Sequence, residues 1–561
     1  MIFKAPILIS KGEGYMKSIY INQVGFTKNA PKKAVLNFPA ERFEVRTNGG
    51  ECVFSGNVRE FGRDKISGEE TFVADFSEFK GDGSFTVNAG DATSVSFEIK
   101  DDIYGKLMKD VCKCFYYLRC GDALTKEHAG VYYHEPCHMG LATVYGTDEK
   151  KDVTGGWHDA GDYGRYSTAG SVAVAHILYG VRFFKGLLDT DFNIPKENCE
   201  KGQYPDILSE VKVELDFLKK MQREDGAVYH KVTTFNHAPF IMPEEDKSDL
   251  FLFAVSSIAT ADVAAVFALA YTIYKDYDKA YADSLLEAAK KAYEWLLDNP
   301  QPLLFYNPEG SNTGQYDEAE DYSNRYWAAA SLYEATGDKS YYHDAVDQKR
   351  KAGDYGEKHA GFGFQGDYLT CLGWAEVAGL GSLSILLAGD GGDLEKELRT
   401  RYESEADRLV KVAAENGFGI PMLAEDFIWG SNFEIEKYMM ILAVTDKFVK
   451  AKDEYKKVIC AGLDYLLGCN SVDISYVTGY GEKAYKNPHL RPTAVDGIDD
   501  PWPGLVSGGP NRGLQDEKAS ELPKDTPAMK CYLDDVSCYS LNEITIYWNS
   551  PLVFVLAYFS A

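Results

Sequence analysis

The chain has 561 residues, 45% of them hydrophobic and 13% aromatic, with a formal net charge of −27. That length and apolar share describe a folded protein with room for one large domain and a smaller one, and exclude a disordered chain. The negative charge argues against nucleic acid and anionic membranes as partners, both being polyanions, and is compatible with a neutral polymer.

No window approaches about 18 uninterrupted apolar residues, so no membrane-spanning helix is expected. The extension 1–17 opens on a short apolar patch broken by Lys4 and Pro6. It has neither a basic n-region nor a small-residue cleavage site, so no signal peptide is read there. Eleven scattered cysteines do not look like a disulfide framework. Together these features point to a cytoplasmic protein with reduced thiols. A secreted chain whose leader had been removed would look the same.

Residues 18–100 read as a small all-β domain. Short runs with alternating or β-branched character recur at 18–21, 34–36, 42–45, 52–54, 71–74, 84–87 and 94–99. Turn signals such as Asn48-Gly49-Gly50 and Gly81-Asp82-Gly83 separate them. Seven strands in this length predict an immunoglobulin-like sandwich. Only Cys52 falls inside it, so no disulfide can join its sheets. The domain serves either to bind carbohydrate or to buttress its neighbour.

From Asp101 to the end, 101–561, apolar positions recur at three- and four-residue spacing. Helices are predicted at 104–120, 168–187, 206–222, 257–276, 280–298, 321–336, 340–353, 368–387, 393–415, 432–450, 454–468 and 538–559. Twelve helices pair naturally into six antiparallel hairpins, and no strict repeat suggests a solenoid. The expected architecture is mainly α: a six-hairpin α/α barrel preceded by the β sandwich. The loops at one mouth of such a barrel are where function is expected. The longest irregular stretches are 121–167, 223–256, 299–320 and 469–537.

The first of these contains Gly155-Gly156-Trp157-His158-Asp159-Ala160-Gly161-Asp162-Tyr163-Gly164-Arg165-Tyr166. Two aspartates three residues apart, in a glycine-rich turn flanked by aromatics, suit hydrolysis of a sugar linkage. One carboxylate activates water and flat rings face the pyranose. The alternative is a polar loop whose aspartates cap the next helix. A second acidic stretch, Tyr532–Pro551, places Glu543 among aromatics, where burial would keep it protonated as a general acid. The alternative there is a first-turn glutamate favoured by the helix dipole. Between the two stretches, His489 and Arg491 share one turn and can hydrogen-bond sugar hydroxyls. Cys120, Cys137, His138 and His158 make a two-thiolate, two-imidazole set of the kind zinc takes in closed structural sites. Their spacing is not that of a zinc finger, which leaves free thiols and unrelated histidines as the other reading; His128 and His134 lie nearby.

These motifs together resemble glycoside hydrolase family nine, the inverting cellulases, in the branch with an N-terminal immunoglobulin-like domain. Asp159–Asp162 resembles the turn bearing that family's catalytic aspartates, Gly481–Arg491 its histidine signature, and Tyr532–Ser550 its acidic signature, including Asp534, Tyr539, Glu543 and Asn549. Ile21–Phe26 and Gly508–Asn511 are also similar to family stretches. The resemblance implies Asp162 as general base, Asp159 as a holder of the attacking water and Glu543 as general acid. It implies that His489 and Arg491 bind the sugar next to the scissile bond. Trp157, Trp327, Trp429 and Tyr539 are candidates for stacking on glucose rings. Relatives in this branch imply a structural zinc at Cys120, Cys137, His138 and His158. They also imply calcium near Asp317, Glu318, Asp321 and Asn324, although Ser323-Asn324 departs from the more acidic pair expected there. No organic cofactor is implied. The expected substrate is cellulose, a cellodextrin or a related β-glucan. Exo action on glucosaminides or xyloglucan is the alternative. A non-catalytic glucan binder would be expected to lack one of the three carboxylates, and all three are present.

Overall fold

The computed structural model describes residues 17–356 and 365–560. The predicted N-terminal extension, apart from Lys17, lies outside the described residues.

The β domain is a sandwich of two sheets. One has the order Ile19–Tyr20, Lys33–Leu36, Glu70–Asp75, Arg59–Arg63. The other runs Gly25–Phe26, Phe97–Ile99, Gly83–Ala89, Arg42–Thr47, Cys52–Asn57, with Ala92–Thr93 paired to Gly83–Ala89. Alternating residues such as Phe43, Val45, Phe85 and Val87 point inward and form a separate core. Three strands escaped the sequence reading. Arg59–Arg63 is a polar edge strand with no apolar alternation to reveal it, and the other two are two-residue strands.

Twelve helices longer than ten residues follow among the described residues: α1 Gly105–Tyr117, α2 Ser167–Phe183, α3 Asp206–Met221, α4 Ser257–Tyr274, α5 Lys279–Asp298, α6 Tyr322–Thr336, α7 Lys339–Gly356, α8 Ala378–Ala388, α9 Asp393–Ala413, α10 Ser431–Val444, α11 Asp453–Leu466 and α12 Ile546–Phe559. Even-numbered helices form an inner ring: α12 packs on α2, α2 on α4, α4 on α6, α6 on α8, and α10 on α12. Being surrounded, α2, α4 and α12 are apolar or small-residue on nearly all faces, while α6 and α10 bury charged side chains such as Arg325, Glu434 and Lys437. Helix α4 is as long and apolar as a membrane span, yet 94% of it is buried inside the barrel. Outer helices carry one apolar stripe, as in α5, where Ala282, Leu285, Ala289, Ala292 and Leu296 recur at helical spacing. This is the six-hairpin α/α barrel expected from periodicity.

Two predicted helices are interrupted, and both interruptions build the site. The expected 368–387 helix begins only at Ala378, after a 3-10 turn at Tyr368–Thr370, so residues 371–377 remain a loop at the barrel mouth. The expected 538–559 helix breaks at Glu543, whose backbone is extended (φ −61°, ψ 151°). Thr545 then caps α12 by accepting from the Trp548 N–H at 3.1 Å.

The β domain is tied to the barrel where the 469–537 loop begins. Asn22 Nδ2 donates to Asp464 Oδ1 at 2.8 Å, Gln23 N to Leu467 O at 2.9 Å, and Lys483 N to Gln23 Oε1 at 2.8 Å. Lys530 pairs with Glu69 at 2.7 Å. Among the described residues of this domain the exposed large apolar side chain is Val53, at 37%, and the contacts to the barrel fit the buttress reading.

Candidate active site

The turn Gly155–Tyr166 is stretched between two helix ends. His158 N donates to Leu118 O at 2.7 Å and Cys120 N to Gly156 O at 2.8 Å, which fastens it to the end of α1. Ile546 N donates to Asp159 O at 2.8 Å, which fastens it to the start of α12. Gly156 sits at φ +78°, where a Cβ would also strike the Phe217 ring and Glu214 Oε2. Helix α3 supplies the matching acceptors one turn apart. Glu214 Oε2 accepts the Trp157 N–H at 2.7 Å, and Glu210 Oε1 accepts the indole N–H at 2.9 Å. Trp157, expected as a sugar platform, is only 1% exposed: its ring anchors the turn from behind. Trp327 is likewise fully buried, its indole donating to Tyr179 inside the barrel, so it too cannot stack on sugar.

Burial pushes Glu214 up to about 8, against the Trp157 N–H that favours its ionised form. Its contribution to stability is therefore present below the ordinary glutamate range and is lost as pH rises toward about 8. The melting temperature is expected to fall between about pH 5 and pH 8, and Glu214→Gln should flatten that fall in thermal scans. A slope unchanged in the variant would contradict this assignment.

Asp159, Asp162 and Glu543 line one cleft of about 650 Å³, together with Tyr166, His237, Tyr316, Trp374, Trp429, Tyr547 and Trp548 among others. Asp162 Oδ2 accepts from Gly164 N at 2.9 Å and Tyr166 OH at 3.1 Å, with His237 Nδ1 at 3.5 Å. Burial alone would raise its pKa. The His237 hydrogen bond and charge, Arg491 and the Gly164 N–H outweigh burial and hold Asp162 well below the usual carboxylate range. Burial and the Asp162 charge push Asp159 well above it, opposed by the Tyr316 hydroxyl that donates to Asp159 Oδ2. Asp159 Oδ1 has no hydrogen-bond partner among the described residues. Burial, and then Asp162, raise Glu543 to about 8. The cleft thus holds Asp162 ionised beside a Glu543 carboxyl raised enough to stay protonated at neutral pH, the division of labour that acid–base hydrolysis needs.

Arg491 is buried, and its Nε donates to Ala238 O at 2.8 Å and its Nη1 to Gly161 O. It pins the turn and acts on Asp162 and Glu543 through its charge. His489 Nδ1 bonds Val536 O at 2.6 Å, which leaves Nε2 available, and its backbone pairs with Glu543. Gly161 permits this approach, since a Cβ there would lie 2.2 Å from His489 O. Trp429 and Tyr539 are 40% and 36% exposed with ring centroids 5.3 Å apart, and Tyr539 lies 5.9 Å from the His489 ring. These two keep the faces a glucose ring would need.

One ligand atom from each of Cys120, Cys137, His138 and His158 lies within 4.8 Å of the others, all four residues being buried. His138 Nε2 faces Asp246 Oδ2 at 3.3 Å, while its Nδ1 is buried without a hydrogen-bond partner. A carboxylate behind an imidazole whose other nitrogen is orphaned inside a two-sulfur, two-nitrogen set fits a tetrahedral zinc. The predicted calcium pair is not gathered. Asp317 is exposed, and Asp321 is buried against Arg325 Nε at 3.0 Å, so an internal cation already answers its charge.

His237, Tyr316 and Trp374 escaped the sequence reading. Each comes from a loop, where Tyr316 sits at a positive φ of 49°, unusual for tyrosine. Comparison with known proteins agrees with the geometry. Residues 104–556 match the family described as Glycosyl hydrolase family 9, and residues 15–94 match the cellulase N-terminal ig-like domain. The chain is 65% identical over 544 residues to a cellodextrinase of Butyrivibrio fibrisolvens, covering 97% of this chain and 99% of that one. It superposes on a thermostable endoglucanase from Alicyclobacillus acidocaldarius with a TM-score of 0.89 at 33% identity, covering 97% and 100% of the two chains. A Zn-binding triple mutant of the family 9 endoglucanase J30 gives a TM-score of 0.86 at 31% identity, covering 95% and 99%. With its barrel, its split carboxylates and its N-terminal sandwich all accounted for, the chain belongs to glycosyl hydrolase family 9 and is an inverting β-1,4-glucan hydrolase.

Proposed function

We propose that the protein is a cellodextrinase that cuts short β-1,4-linked gluco-oligosaccharides, with Asp162 as general base, Asp159 helping to hold the attacking water and Glu543 as general acid. The observation that carries this is the opposite displacement of Asp162 and Glu543 within one cleft, one held ionised and the other raised to about 8. Inversion then follows the usual course: Asp162 takes a proton from water as it attacks the anomeric carbon, and Glu543 gives one to the departing oxygen. Trp429 and Tyr539 stack on sugar rings at the rim. The preference for short chains draws support from the cellodextrinase to which the chain is 65% identical. Zinc, held by Cys120, Cys137, His138 and His158, would be structural and would brace the turn through His158, next to Asp159. We place the protein in the cytoplasm, a reading supported by eleven cysteines free of disulfides.

Cellohexaose and insoluble cellulose, digested in parallel with anomeric NMR, test the reading. Expected are rapid cleavage of cellohexaose, slow attack on the insoluble polymer, and products that appear first as the α anomer. Product of retained β configuration, or a preference for the polymer, would refute it.

A further inference from the structure

Lys231 lies on the strand Lys231–Thr233, paired with Tyr166 on the strand that leaves the catalytic turn. It is fully buried, and no carboxylate forms an ion pair with it among the described residues. An ammonium in that setting is costly unless every donor is matched. Here each is: Nζ donates to Asn307 Oδ1 at 2.6 Å, Thr313 Oγ1 at 2.8 Å and Gly314 O at 2.7 Å. Three rings close around it, Phe253, Phe305 and Tyr166, at 4.8, 5.4 and 5.6 Å from their centroids. Burial pulls Lys231 down to about 7, and the charge of Asp162 pulls the other way.

All three oxygens belong to one loop, 307–314, and the segment running on through Tyr316 reaches both aspartates of the turn, Asp162 by way of Tyr166 and Asp159 directly. Gly314 N donates to the Tyr166 hydroxyl at 3.0 Å, and that hydroxyl donates to Asp162 Oδ2 at 3.1 Å. The fit is close: a Cβ on Gly314 would lie 3.2 Å from the Tyr166 ring, which would have to give by a few tenths of an ångström. Two residues on, the Tyr316 hydroxyl donates to Asp159 Oδ2. Tyr316 is held at φ +49°, a backbone state that persists only where its surroundings dictate it. Asn307 Nδ2 also donates to Thr313 O at 2.6 Å, which closes the loop on itself around the lysine.

We propose that Lys231 is a positioning residue for the water-activating pair, clamping loop 307–316 so that Gly314 and Tyr316 hold Asp162 and Asp159 in place. The inference rests on Asp162 being the general base. Because it acts on the base side, its loss differs from loss of the acid. An activated leaving group removes the need for Glu543 but not for an aligned water.

The test compares Lys231→Met, Lys231→Gln and Asn307→Ala on cellopentaose and on 2,4-dinitrophenyl β-cellobioside. Folded Lys231→Met should lose about 10–100-fold in kcat, the scale of a slightly misplaced reacting group, with KM within about threefold. The loss should be equal on both substrates. Lys231→Gln, which keeps two N–H donors, should recover most of it, and Asn307→Ala should lose several-fold. Wild-type kcat in folded Lys231→Met, a loss confined to KM, or a loss that vanishes on the dinitrophenyl substrate overturns the proposal. Where Lys231→Met does not fold, wild-type kcat in Asn307→Ala overturns it instead. Asp162→Asn run alongside separates the two levels: if it stays active the base assignment fails, and if it is dead while Lys231→Met is normal only the clamp fails.

Discussion

Asp162→Asn is expected to lower kcat on cellopentaose by about a thousandfold or more, with KM near that of the parent enzyme. The aspartate is buried between Gly164, Tyr166 and His237, and Asn keeps its shape while removing a proton acceptor held ionised in the cleft. General-base catalysis of this kind is worth about 10²–10⁴-fold. Glu543→Gln should cost as much on cellopentaose, yet far less on 2,4-dinitrophenyl β-cellobioside, whose leaving group needs no proton. The pH dependence follows from the same asymmetry. Glu543 acts protonated, and burial holds its pKa at about 8, so kcat should be sustained through neutrality and fall as pH rises through about 8. Asp162 acts ionised and is held well below the usual carboxylate range, so it imposes no loss near neutral pH. In Glu543→Gln the residual rate should lose its alkaline limb. A limb that persists unchanged would move the acid's role to another group.

How much of this was legible from sequence divides along a physical line. The helices of the barrel show because burial on one face or on all faces leaves a period in the apolar residues, and α5 is a plain case. The catalytic turn shows because a tight approach demands glycine: at Gly161 nothing larger clears the His489 carbonyl. Depth, by contrast, leaves no mark in a sequence. Trp157 and Trp429 are the same residue type, each next to a glycine, yet one is 1% exposed and the other 40%. Nor does a sequence show that Arg491 donates to the Ala238 and Gly161 carbonyls, 253 and 330 residues distant in the chain. Tyr316, His237 and Lys231 act through partners that only the closed barrel brings near, so no local spacing could announce them. Where Glu543 interrupts a predicted helix, the error was itself informative. The extended backbone there is what frees the acid from the helix and turns it to the cleft.

Removing the metal ligands should have the second largest effect. Protein purified without chelator is expected to carry about one zinc per chain. Cys137→Ser and His158→Ala should reduce that well below one, lower the melting temperature by several degrees and lower kcat by about 10–100-fold without changing KM. The two effects belong together because His158 is both a ligand and the residue before Asp159, and its N–H is one of the bonds that fasten the turn to α1. Asp246 allows a finer test. It lies outside the ligand set, 3.3 Å from His138 Nε2, and so orients the ring with Nδ1 toward the two sulfurs. Asp246→Ala should leave all four ligands in place but weaken zinc about 10–100-fold, measured by competition with a chromogenic chelator. His138 is held at φ +50°, a strained state for a histidine that a bound ion would help to sustain. If Asp246→Ala binds zinc as tightly as the parent, or if Cys137→Ser melts and turns over as the parent does, the cluster is packing alone. The catalytic turn would then owe its shape to Glu210, Glu214 and the two helix ends.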